Sequence, residues 1–188
     1  MSTDVRYAAL FLACVLGGCG LSDTTPACHV DASRAITWSN GNAPDRLIVR
    51  AAGKDCANAD IVAIVTNADG VEILRAAALG HAMAEYGDNQ PTPLPTVSTA
   101  KMAEYVDSIA EGATLITAGE LPEWSGPPHL PRATAGASYD PSLPRGAYDD
   151  LRSRNVRVLC FDTGPEAATC YAYDPAARRA VEIATHGI

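Results

Sequence analysis

The sequence predicts an α+β domain: an antiparallel meander, one main amphipathic helix packed on it, and disulfide staples. Three observations predict it. Short β-prone runs alternate with turn residues in both halves of the chain, one stretch alone repeats its apolar residues at helical spacing, and the cysteines beyond residue 19 are four.

The runs Ala35-Ile36-Thr37-Trp38, Arg46-Leu47-Ile48-Val49-Arg50 and Ile61-Val62-Ala63-Ile64-Val65 predict the first three strands. Asn67-Ala68-Asp69-Gly70 then separates the third from Val71-Glu72-Ile73-Leu74, and Asp-Gly between β-prone runs signals a hairpin. Residues 75–86 leave helix and strand open, because their alanines favour helix while they continue directly from a strand. Prolines mark residues 91–95 as loop, after which Ser98 is placed to cap a helix. Met102, Tyr105, Val106, Ile109 and Ala113 share one face of that helix, and Lys101, Glu104, Asp107, Ser108 and Glu111 fall on others, so its apolar stripe packs on the sheet.

Six prolines interrupt residues 121–145, which also hold Trp124, His129 and Tyr139. An irregular segment of that length in a small domain is commonly functional, which makes Trp124, His129 and Tyr139 a candidate interaction loop. A short helix over 147–155 follows. The chain closes with Val156-Arg157-Val158-Leu159-Cys160-Phe161, a turn at Gly164-Pro165-Glu166, Ala168-Thr169-Cys170-Tyr171-Ala172-Tyr173, the turn residues Asp174-Pro175 and a strand at Ala180-Val181-Glu182-Ile183-Ala184.

Before all of this lies an apolar run over residues 7–15, too short to cross a bilayer as a permanent helix but suited to the core of a secretory signal. It ends in Leu16-Gly17-Gly18-Cys19, which resembles the lipobox of bacterial lipoprotein precursors. The resemblance implies cleavage after Gly18 and lipidation of Cys19. It divides the chain into a signal peptide at 1–18, a lipidated tether at 19–27 and a single periplasmic α+β domain at 28–188. Several acyl chains at ~0.8 kcal/mol per buried methylene make a lasting membrane anchor. By the family rule Gly20, standing where Asp would mark inner-membrane retention, implies the outer membrane, facing the periplasm.

The formal charge of −8 survives removal of residues 1–18, because Asp4 and Arg6 cancel, and no run of like charge occurs. Such an acidic, scattered balance argues against nucleic acid as partner and against an electrostatic grip on anionic lipid. Of the six cysteines, Cys14 leaves with the signal, Cys19 takes lipid, and Cys28, Cys56, Cys160 and Cys170 remain for an oxidising compartment. If the last two β-prone runs around Gly164 pair with Cys160 opposite Cys170, Leu159 faces Tyr171, and Cys28 is left for Cys56. No C-x-x-C pair supports zinc, and neither a metal nor another cofactor is expected.

Three patterns touch on chemistry. Ser98-Thr99-Ala100-Lys101 matches the S-x-x-K of penicillin-recognising acyl enzymes, with Ser98 as nucleophile and Lys101 as base, yet no K-T-G or S-D-N element accompanies it. Asp162-Thr163-Gly164 matches the triplet of aspartic proteases, which need two copies, and one is present. His81 and Glu85 share a helical spacing without a third ligand. The expectation is therefore a non-catalytic envelope lipoprotein, a tethered binding or accessory domain whose partner is a periplasmic protein or wall polymer. A lipid-anchored cell-wall or ester hydrolase using Ser98 and Lys101, or an inhibitor or immunity-type lipoprotein, is the alternative.

Replacing Cys19 by Ser is expected to leave unprocessed precursor and abolish incorporation of labelled palmitate, read by autoradiography of the immunoprecipitated protein; undiminished label would refute the anchor.

Overall fold

The computed structural model describes residues 27–39, 43–78, 97–124, 139–154, 156–164 and 167–187. The first half builds a four-stranded antiparallel meander of β1 (Cys28–Ile36), β2 (Asp45–Gly53), β3 (Asp60–Thr66) and β4 (Glu72–Ala78), hydrogen-bonded in chain order. On β2, Leu47, Val49 and Ala51 are buried while Arg46, Ile48 and Arg50 between them are not, the period-two pattern of a sheet with one covered face. The β3–β4 turn forms where Asp-Gly predicts it. The Asn67 side chain accepts from the amides of Asp69 (3.1 Å) and Val71 (2.9 Å), and Gly70 takes φ +77°, a conformation that glycine adopts without strain.

β1 runs from Cys28 to Ile36, where the sequence predicts only Ala35 to Trp38. The extension was hidden because its outer positions are polar: Asp31 faces Arg50 across the strands and binds it through two bonds of 2.8 and 3.0 Å. Trp38 has left the strand. Its amide and that of Ser39 donate to the Asp45 carboxylate, at 3.0 and 2.6 Å, and the Ser39 hydroxyl does so at 2.6 Å. Asp45 is only 1% exposed, so these bonds are what compensate its burial.

The predicted helix is α1 (Thr99–Gly112), capped by Ser98, whose hydroxyl accepts the Lys101 amide at 3.1 Å. Met102, Val106 and Ile109 of the expected stripe are buried against the inner face of the meander, together with Ala110. Residues 79–86, left open between helix and strand, lie outside the described residues beyond the β4 end at Ala78.

The remaining strands do not extend the meander. They form a second antiparallel sheet from β5 (Thr114–Thr117), β6 (Tyr139–Pro141), β7 (Arg157–Gly164), β8 (Ala167–Asp174) and β9 (Arg179–Gly187), in the order β5-β7-β8-β9-β6. α2 (Arg145–Ser153) covers its outer face. The irregular segment predicted over 121–145 is corrected at its end: Tyr139, Asp140 and Pro141 pair with His186, Thr185 and Ala184 of β9, and α2 begins at Arg145 rather than Ala147. Pro141 is tolerated there because β6 is an edge strand.

β7 explains the layering. Leu159 and Phe161 join the core formed with α1 and the first sheet, whereas Val158 and Cys160 join a second core under α2 with Tyr148, Leu151 and Ile183. A strand buried on both faces reads as one continuous apolar run, as Val158-Leu159-Cys160-Phe161 does.

Backbone space sets two stability predictions, both read from thermal unfolding. A Cβ on Gly53 would lie 2.8 Å from the Ala59 Cα, so Gly53→Ala is expected to cost about 1–3 kcal/mol. Gly146, in α2, has nothing within 4 Å of that position, and Gly146→Ala should be neutral or stabilise by up to about 1 kcal/mol.

Candidate functional site

The four cysteines of the described residues form the two disulfides expected of them. Cys28 is joined to Cys56 with Cα atoms 4.8 Å apart, and Cys160 to Cys170 at 4.1 Å. The β7–β8 register is also the expected one, with Cys160 opposite Cys170 and Leu159 opposite Tyr171. Their sulfurs are therefore engaged with each other, and no group of three or more potential metal ligands occurs among the described residues.

Ser98 and Lys101 both make local contacts at the start of α1. The Ser98 hydroxyl accepts the Lys101 amide as a helix cap, and the Lys101 ammonium turns to Glu104, 3.8 Å away. The Asp-Thr-Gly triplet lies on β7 at a bulge, with Asp162 exposed and the Thr163 hydroxyl 2.7 Å from that of Thr169. Both motifs are accounted for by local structure. Cys19, His81, Glu85 and His129 lie outside the described residues.

Trp124 and Tyr139 are brought together, but inward. The ring of Tyr148 on α2 receives both edge-on, Trp124 at 5.6 Å and Tyr139 at 6.3 Å between centroids. Trp124 is 8% and Tyr139 7% exposed, so both rings belong to the core under α2. The Tyr148 hydroxyl donates to the Pro122 carbonyl at 2.8 Å, and the Arg152 guanidinium donates to that of Leu121 at 3.0 Å. Burial pushes the Tyr139 hydroxyl well above the ordinary tyrosine range, with the Tyr148 hydrogen bond adding to the shift. The Trp124 indole N–H is buried without an acceptor among the described residues.

Clefts open to solvent occur among the described residues. One, of about 280 Å³, lies between α2 and the β8–β9 hairpin over an apolar floor that includes Leu151, Val156, Val181 and Ile183; an Asp150–Arg154 ion pair of 2.9 Å lies on its rim. The other, of about 380 Å³, lies between β1 and β5, outer strands of the two sheets among the described residues. Its walls are Arg34 to Thr37 on one side and Leu115 to Thr117 on the other, with Glu120 and Arg157 completing the lining.

Arginines tie this second groove together. Arg34 of β1 donates to the carbonyls of Glu111 (2.8 Å) and Ala113, where α1 ends, and Arg157 of β7 donates to the Thr37 carbonyl. A cation at a helix C-terminus is favourable because the last carbonyls lack intrahelical partners. Glu120 accepts the Thr117 amide at 2.6 Å and its hydroxyl at 3.0 Å, bonds that hold its carboxyl below the ordinary range. Sequence reasoning missed this groove. Thr114-Leu115-Ile116-Thr117 is β-prone but only four residues long, and nothing in the sequence relates Arg34 to residues 111 and 113.

Comparison of the chain with protein-family models, with curated proteins and with solved structures finds no match.

Burial between the sheets also raises the Tyr171 hydroxyl to about 12, with the Glu182 charge adding to the shift. Its neutral form is thus favoured in the folded state, and this contribution is intact below pH ~10 and lost as pH rises through about 12. Absorbance titration of tyrosinate is expected to lose a late-titrating phase in Tyr171→Phe, and the decline in stability between those pH values should become shallower.

Proposed function

We propose that the chain is an envelope lipoprotein without catalytic activity of its own, a binding or accessory domain held at the outer membrane by lipid on Cys19 and facing the periplasm. The observation that carries this reading is the use of cysteine. All four thiols of residues 28–188 are consumed as disulfides, the state that export to an oxidising compartment favours, while Cys19 stands apart in the lipobox-like run. Disulfides also suit a tethered domain exposed to the envelope, since each crosslink restricts the unfolded chain and could contribute roughly 3 kcal/mol on the loop-entropy account.

Against the hydrolase alternative stands the geometry at the start of α1. The Ser98 hydroxyl accepts the Lys101 amide as a helix cap and the Lys101 ammonium lies 3.8 Å from the Glu104 carboxylate, contacts that an ordinary capped helix start accounts for. The partner is a periplasmic protein or a wall polymer, met through a surface of the folded domain.

The purified protein treated with a labelled fluorophosphonate and with a labelled penicillin is expected to carry no adduct at Ser98 by peptide mass mapping. A stoichiometric adduct there, lost in Ser98→Ala, would establish the hydrolase instead.

A further inference from the structure

The β1–β5 groove is where two sheet edges face one open volume, and its main-chain groups can be accounted for one by one. Backbone groups of an antiparallel strand point alternately toward its neighbour and away from it. Thr117 turns its amide away from β7, onto Glu120. Ala113, four residues earlier in the same alternation, gives its amide to the Ile109 carbonyl at 3.2 Å and its own carbonyl to Arg34. Leu115 lies between them, so its N–H and C=O point into the groove, flanked by two blocked positions. Its side chain is 37% exposed, one of two large apolar side chains so exposed among the described residues.

The charge of this groove is opposite in sign to that of the chain. On a chain of net charge −8 it is lined by two guanidinium groups, Arg34 and Arg157, against one carboxylate, Glu120, whose Oε2 already accepts two bonds from Thr117. Arg34 uses two of its five N–H donors on carbonyls in this structure and Arg157 one. A volume of about 380 Å³ is of the size that holds a few residues of extended chain.

We propose that this groove binds an extended, acidic peptide segment of a partner protein. One residue of the segment pairs its main-chain N–H and C=O with those of Leu115, as an added strand does, and a neighbouring Asp or Glu side chain meets Arg157 and Arg34. The exposed Leu115 side chain receives an apolar side chain of the segment. This proposal rests on the binding-domain reading above and gives that reading a site and a partner chemistry.

The probe is a random heptapeptide display library, panned on the full-length protein in detergent under non-reducing conditions. Enriched peptides are expected to share an acidic residue among β-prone ones and to shift the Leu115 amide resonance. N-methylation of the central peptide residue should abolish binding to the unaltered protein. Arg157→Gln should weaken binding about tenfold or more, as expected for loss of a charged hydrogen bond. Peptides that keep their affinity after N-methylation and on Arg157→Gln, or a library that yields no binders, would overturn the proposal. Peptides that instead shift amides around the α2 cleft would overturn this groove while leaving the binding-domain reading intact, which only the Ser98 labelling and palmitate experiments address.

Discussion

Everything else in this fold depends on the β7–β8 hairpin being buried on both faces. Leu159 and Phe161 turn toward α1 and the meander, Val158 and Cys160 toward α2, and the Cys160–Cys170 bridge lies in the second of these layers. Phe161 stacks on Tyr171 at 5.4 Å, one hairpin strand supporting the other within the shared core. A meander with one covered face and two short helices cannot exclude water from its apolar side by itself. The central hairpin supplies the missing layer to both.

Two sheets in one small fold create free edges, and unpaired edges invite pairing with other chains. The molecule caps both ends of β5 with its own polar groups. Arg34 takes the carbonyl of Ala113 just before the strand and that of Glu111 at the end of α1, and Glu120 takes the amide of Thr117. These same groups give the groove its charge. On the proposal above, an edge blocked at two positions and open at the one between would admit a strand only where the partner's main chain and charge agree.

Elsewhere burial is balanced by local bonds. Asp45 closes the β1–β2 connection through three bonds to residues six and seven positions earlier, and Tyr148 joins Trp124, Tyr139 and the Pro122 carbonyl in one cluster. Of the residues that sequence reasoning singled out as an interaction loop, Trp124 and Tyr139 are thereby core residues under α2.

Local signals carried a good part of the architecture. Ser98 before an apolar stripe marks a helix wherever it packs, Asp-Gly marks the β3–β4 turn, and cysteines symmetric about Gly164-Pro165-Glu166 imply their own register because facing residues on a hairpin are fixed by the turn. What the sequence alone conveyed was therefore short in range: most of the longer strand runs, the cap, the β3–β4 turn and a hairpin register that puts Cys160 opposite Cys170 and leaves Cys28 for Cys56. The division into two sheets, the long polar-faced β1, the docking of β6 and the meeting of Arg34 and Arg157 across two edges were decided by tertiary structure. Each depends on which face another layer covers, or on partners some eighty to a hundred and twenty residues apart, and no local pattern of side chains encodes that distance.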